Sequence, residues 1–441
     1  MVRFDVAARA ALIICSLAWL GSRASGESLL CGTAGDDLVA ARMGLAREWV
    51  VQIPFDSAGW RLEHVTIGDE LVVACSGDGG VHAVQAVSVA GGPRAGSVLW
   101  SRRLGRPGGP LHAAGVGPRI VTVARDLDVY AFDARTGAAV WHRHAGRPPS
   151  GGAVSVDDWT YAPLSADRLM RYAVNPLATP QAAAAPAKPP AKGEPAGRGA
   201  EEPQTRRDPS LPLSIDAGGR VESAPFPYDG GVAWITEGGM LVVIVPVSTG
   251  WKRLEFDLGA PVSGAAAVRD RSMVVATRRG DLARVADAGT DDVRNLDAVW
   301  HVLLDGLPEG GPLVSGETVV VSLGDEGLRA FAADTGSPMW TSAVAGRLVA
   351  TTEGRAWCVD RVGRLVGVDL ATGEPVAWMC LGSFTLPVVN TVSERMVLAS
   401  PDGLVVSLAP RRTVSALPAA GKEPAEEDAE KPAEADKPND T

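Results

Sequence analysis

The sequence predicts an all-β chain folded as an eight-bladed β-propeller, with a seven-bladed ring as the alternative, on three observations. Five stretches align as one repeat: Asp126–Gly137, Gly238–Gly250, Gly280–Asp291, Gly327–Gly336 and Gly363–Gly373. Tryptophans recur at a spacing of about 40 residues, the length of a blade of four short strands. Helical periodicity is nearly absent, while 51 glycines and 32 prolines suit a chain that turns every few residues.

Each repeat enters from a turn residue, alternates apolar positions, and leaves through Thr-Gly or Thr-Asp, as a half-buried strand leading into a hairpin does. Trp141, Trp340 and Trp378 follow that turn by four or five residues. Trp100 and Trp300 stand at the same place in their strands, and Trp251 opens the equivalent strand before Gly259. The step from Trp141 to Trp251 fits two blades. The blades then run roughly 55–105, 107–146, 150–219, 220–259, 260–306, 307–346 and 347–382. Residues 383–411 supply three further strands, 388–392 among them, with no tryptophan strand behind them. Trp49, within Arg47–Ile53, precedes any blade it could finish, so this strand is expected to close the last blade. The structural reading of Trp49, Trp100, Trp141, Trp251, Trp300, Trp340 and Trp378 is packing between blades. That of Gly137, Gly250, Gly336 and Gly373 is a tight turn with positive φ.

Three stretches, 130–141, 328–340 and 365–378, follow the pattern G-x-L-x-A-x-D-x-x-T-G-x-x-x-W with small departures. In this the chain resembles the pyrrolo-quinoline quinone (PQQ-like) repeat propellers over about residues 45–411. That family includes quinone-dependent dehydrogenases and an outer-membrane assembly lipoprotein, so the resemblance implies a fold and leaves function to the sites.

Outside the repeats, Arg3 and Arg9 precede an apolar run from Ala10 to Leu20, and Ala24-Ser25-Gly26 offers small residues for cleavage. Residues 1–26 therefore read as a signal peptide, too short for a span, and the protein as exported to the periplasm or beyond the cell. Cys31 follows Leu30 where a lipidation signal needs a small residue. Residues 176–212, rich in Pro and Ala, read as a disordered insertion in a hairpin of the third blade. Residues 419–441 read as a disordered tail, and it carries half of the net charge of −10. The folded body is then near neutral, and without a basic stripe or an aromatic platform it gives no sign of nucleic-acid binding. Cys31, Cys75, Cys358 and Cys380 permit three pairings. Cys358 with Cys380, inside one blade, is the preferred one, against a reading of Cys75 and Cys358 as small buried strand residues.

Chemistry is sparse. The six histidines show no zinc spacing; His142 and His144 share a strand face, which reads as an exposed outer strand. Gly77–Gly80 and Asp325–Gly327 read as hairpin turns rather than calcium loops. The quinone enzymes that the chain resembles carry adjacent cysteines over the cofactor and Asp, Glu and Asn around calcium. No Cys-Cys pair occurs here, so neither a cofactor, a metal nor a catalytic residue is expected. The expected function is a monomeric protein-binding scaffold, which the resemblance places in cell-envelope assembly; a PQQ-dependent dehydrogenase is the alternative.

Overall fold

Eight antiparallel sheets follow one another along the chain in a computed structural model that describes residues 36–174, 212–248, 250–290 and 293–411. Seven have four strands in sequence order, spanning 62–103, 115–144, 154–216, 226–257, 267–303, 313–342 and 347–380. The eighth joins Met396–Ala399 and Leu404–Pro410 to the N-terminal strand Leu45–Gln52. That pairing runs from Leu45 opposite Pro410 to Gln52 opposite Leu404, so strands from the two ends of the sequence complete one blade. First strands of neighbouring blades touch, which sets them around the axis. The propeller is eight-bladed, and its N-terminal strand closes the last blade.

Second and third strands lie between two neighbouring blades and are covered on both faces. Leu71–Ser76, Gly80–Gln85 and Ile120–Arg125 are buried at every position, as continuous apolar runs are where both faces are packed. The expected alternation survives in the outer strands, such as Ala139–His144.

A repeated dock joins the blades. Trp49, Trp100, Trp141, Trp300 and Trp340 each donate the indole N–H to a carbonyl of the next blade, that of Ala86, Ala134, Val174, Ala333 or Leu370, at 2.8–3.1 Å. The next blade's turn glycine lies on the ring. Gly137 on Trp100, Gly336 on Trp300 and Gly373 on Trp340 have φ of 65°, 69° and 78°, and a Cβ there would stand 2.5–2.8 Å from the indole. Only glycine meets both demands. The Asp133 carboxylate accepts from the Thr136 amide at 2.8 Å, and Asp369 from that of Thr372 at 3.0 Å, fixing the turns that present these glycines.

In the first, second and sixth blades the docking position is the fourth residue after the turn glycine, Gly96 to Trp100, Gly137 to Trp141 and Gly336 to Trp340. Trp251 follows Gly250 by one residue and Trp378 follows Gly373 by five. An odd offset places a strand side chain on the opposite face, so the position itself is held by Leu254 and Ala377. Trp251 and Trp378 are accordingly 46% and 57% exposed, in contrast to the interblade packing expected for them.

Where Ala377 leaves the dock small, an element absent from the sequence expectation adds apolar volume. Helix α1 (Asp37–Arg42), capped by Asp36 accepting from the Leu38 amide at 2.9 Å, places Ala40 and then Met43 in one core with Trp357, Leu365, Met379 and Leu408. Arg355 donates to the Met43 carbonyl, tying the helix to the seventh blade. Glu48 accepts from Arg395 at 2.7 Å and from Ser407 at 3.1 Å across the closing sheet.

Two further expectations need correction. Residues 388–392 form no strand; single bridges, Leu386 to Ala399 and Ala350 to Asn390, replace it. Asn390 explains this, because its Oδ1 accepts from the Val392 and Ser393 amides and turns the chain there. Nor does Cys358 pair with Cys380. Cys358 is a free, buried strand residue, as is Cys75, whereas Cys380 is disulfide-bonded. The expected signal peptide, Pro/Ala insertion and acidic tail lie outside the described residues. The insertion's flanks, Arg168–Ala173 and Leu213–Asp216, pair as third and fourth strands of the third blade.

Candidate functional site

In a sheet whose four strands run in order, the turns between strands one and two and between three and four share one end. The turns between two and three open at the other end with the interblade connections. The propeller therefore has two unlike faces around its axis. On the second of these, side chains at the second-to-third turns are spent on the fold. The Thr277 hydroxyl accepts from the Asp281 amide at 3.1 Å, and the Ser400 hydroxyl from the Leu404 amide at 2.9 Å. Asp78 accepts from Ser76 at 2.6 Å, from the Gly80 amide at 3.0 Å and from Arg103, and these bonds hold its carboxyl below the usual range despite burial. Beside it His82 is buried, and desolvation lowers its pKa to about 4, leaving the ring neutral at pH 7.

His142 and His144 do share a face, and both ring nitrogens meet one oxygen, Asp128 Oδ1, at 3.3 and 2.9 Å. His142 also stacks on Tyr130 at 4.5 Å, so the group knits the rim of the second blade. His301 bonds Asp281 at 3.0 Å in the fifth blade, a comparable rim contact. Among the described residues no group of three or more His, Cys, Asp or Glu could hold a metal ion. Burial pushes the thiols of Cys75 and Cys358 up to about 12, far from a nucleophile's range.

What the molecule offers is surface. On the face of the first-to-second turns, a groove of about 690 Å³ lies between the first and second blades. Leu71, Leu99 and Val116 line it, with Val89 and Pro93 from the long connection 86–97 and carboxylates at its rim. A second cavity, of about 480 Å³, lies at the rim of the seventh blade, lined by Val344, Val362, Val366, Pro375 and Trp378. Sequence reading found neither: the groove depends on which blades become neighbours, and the cavity on Trp378 facing outward from the seventh blade. Trp378's odd spacing was the one available sign. Asn390 is spent on its own turn, with Nδ2 donating to Ser393 at 2.9 Å.

Comparison with known proteins agrees with this architecture. The family model described as outer membrane protein assembly factor BamB matches residues 77–175 and 291–436, more than half of the chain. Among solved structures, BamB from Moraxella catarrhalis superposes with a TM-score of 0.57 at 14% identity, over 83% of this chain and 97% of that one. The computationally designed Ika8 protein does so with a TM-score of 0.54 at 12% identity, over 82% and 99%. Identities this low speak for the fold alone. No curated protein matches the chain. No helix among the described residues is long and apolar enough to cross a membrane. With the repeat, the docked tryptophans and the matched segments together, the chain belongs to the PQQ-like repeat family whose model is described as outer membrane protein assembly factor BamB.

Proposed function

We propose that the protein is a non-catalytic, protein-binding propeller of the cell envelope, acting as a monomeric scaffold in outer-membrane assembly. The observation that carries this reading is the family match to an outer membrane protein assembly factor, on an eight-bladed ring. Rigid faces of loops around an axis are the usual working surfaces of such a scaffold. Export through residues 1–26 is part of the proposal. Against the dehydrogenase alternative, Cys75 and Cys358 sit apart in the first and seventh blades, where they form no vicinal pair over a cofactor.

The test is a crosslinked pulldown of the tagged protein from its native envelope, run beside an assay with PQQ, calcium and a panel of alcohols and sugars. A stoichiometric protein partner and no dye reduction are expected. PQQ-dependent turnover without a partner would replace the scaffold with an enzyme.

A further inference from the structure

We propose that the face bearing the first-to-second turns docks a cationic, partly apolar polypeptide segment, which sets an apolar side chain into the groove between the first and second blades. This deepens the scaffold reading and rests on it.

Charge selects the partner. The first-to-second turns carry Asp69 and Glu70, Asp157, Glu317 and Glu353, and Glu394 stands just before Met396–Ala399 of the eighth blade, so that five blades contribute one or two carboxylates each. All six residues are exposed, and none has a side-chain hydrogen bond or ion pair among the described residues. Other acidic residues on these turns are already matched: Asp158 by Arg119 at 3.2 Å, Asp270 by Arg269 at 3.8 Å, and Asp229 by Arg294. Arg94 and Arg135, on the outer turns of the first two blades, are the opposing charges nearest the groove, Arg135 at its rim, and Arg42 stands beside the eighth blade. Among the described residues the balance is an arc of unneutralised carboxylates about the axis, which steers a basic partner toward this face.

The groove gives that partner a place to land. Its shape comes from a departure in the repeat: the connection 86–97 replaces the short Asp-x-x-Thr-Gly turn of the second and seventh blades. That connection is folded before any partner arrives. The Val89 amide donates to the Pro93 carbonyl at 3.2 Å, that of Gly92 to Val89 at 3.0 Å, and that of Ala95 to Ser88 Oγ at 3.1 Å. Gln85, buried beneath, donates to the Val87 carbonyl at 2.8 Å and anchors the loop to its strand. At about 690 Å³ the groove has the size of a ligand pocket, and Val89 remains 42% exposed at its edge. An apolar floor under Asp69 and Glu70 suits a segment in which a Lys or Arg neighbours a large apolar residue.

Fluorescence anisotropy of the full mature chain tests this with two labelled peptides, one alternating Lys and Leu and one alternating Glu and Leu. The Lys peptide should bind saturably and weaken with salt, while the Glu peptide should not bind. Asp69→Asn with Glu70→Gln should weaken the Lys peptide about three- to tenfold and flatten its salt dependence. Val89→Ser, on an exposed loop, removes the apolar edge without adding charge and should weaken it by a similar factor while leaving Tm unchanged. Equal binding of both peptides, or wild-type binding by both variants, overturns the proposal. If the variants still capture the wild-type envelope partner at full level, the groove is wrong and the scaffold stands; if wild type captures none, the scaffold reading itself fails.

Discussion

Replacing Trp100 and Trp378 by alanine, one at a time, should have very different costs although both residues belong to the same repeat pattern. Trp100 is 6% exposed; its indole N–H donates to Ala134 at 2.9 Å, and its ring lies 5.9 Å from Phe132 and directly under Gly137. Truncation removes roughly 200 Å² of buried surface, about 5 kcal/mol by area. It also leaves the Ala134 carbonyl unpaired, at about 1 kcal/mol. Partial relaxation of the site brings the expected loss to about 4 kcal/mol, within the range for large-to-small core changes. Trp378, 57% exposed with the Arg364 guanidinium 5.5 Å from its ring, should cost below about 1 kcal/mol. Thermal unfolding followed by circular dichroism should show Tm falling by roughly 8 °C for Trp100→Ala and about 2 °C or less for Trp378→Ala. Equal losses would refute the docking position and the four-residue count from the turn glycine that defines it.

Three further outcomes are expected. Because burial holds the folded-state pKa of His82 near 4 against an ordinary 6.5, the unfolded chain binds more protons between those values. Stability should therefore fall by roughly 3 kcal/mol as pH drops from 6.5 to 4, and His82→Gln should flatten the fall; urea titrations alike at pH 6.5 and 4.5 would contradict it. His112, lowered mainly by burial, adds to the same slope, whereas Asp78, Asp128 and Asp281, also lowered, lose their contribution only below the usual carboxylate range. With maleimide, Cys75 and Cys358 should react only after denaturation and Cys380 only after reduction; labelling of either buried thiol in the native protein would show that its blade opens. Replacing 176–212 by a short Gly-Ser turn should leave Tm within about 3 °C, since loop closure costs little; loss of folding would mean that the insertion packs on the ring.

Strand periodicity and turn chemistry were legible in the sequence because each blade must repeat them locally. The Asp-x-x-Thr-Gly turns and the unattached strand around Trp49 sufficed for the ring and its closure. Phase was harder to read. Trp251 and Trp378 look equivalent to Trp100 until the residues from the turn glycine are counted, and a one-residue difference reverses a strand face. Helix α1 spans 6 residues, too few to show a period, and is held by its cap and by Met43 rather than by propensity. The strand expected at 388–392 failed because Asn390 competes for the backbone. Surface features resisted reading most, since the carboxylate arc and the groove exist only once turns from different blades stand side by side.

The central claim, a ring closed by its own two ends, is tested most directly by comparing two deletions. Removing residues 45–54 takes away the strand paired with Leu404–Pro410, along with buried Leu45, Trp49 and Ile53, and exposes the edge of the last blade. Removing the tail after Pro418 takes away nothing paired in the described fold. In thermal unfolding beside wild type, the first deletion should lower Tm by well over 10 °C or prevent folding, and the second should leave Tm unchanged. Identical melting of the two deletions would contradict the closure, and with it the eight-bladed ring on which the proposed faces depend.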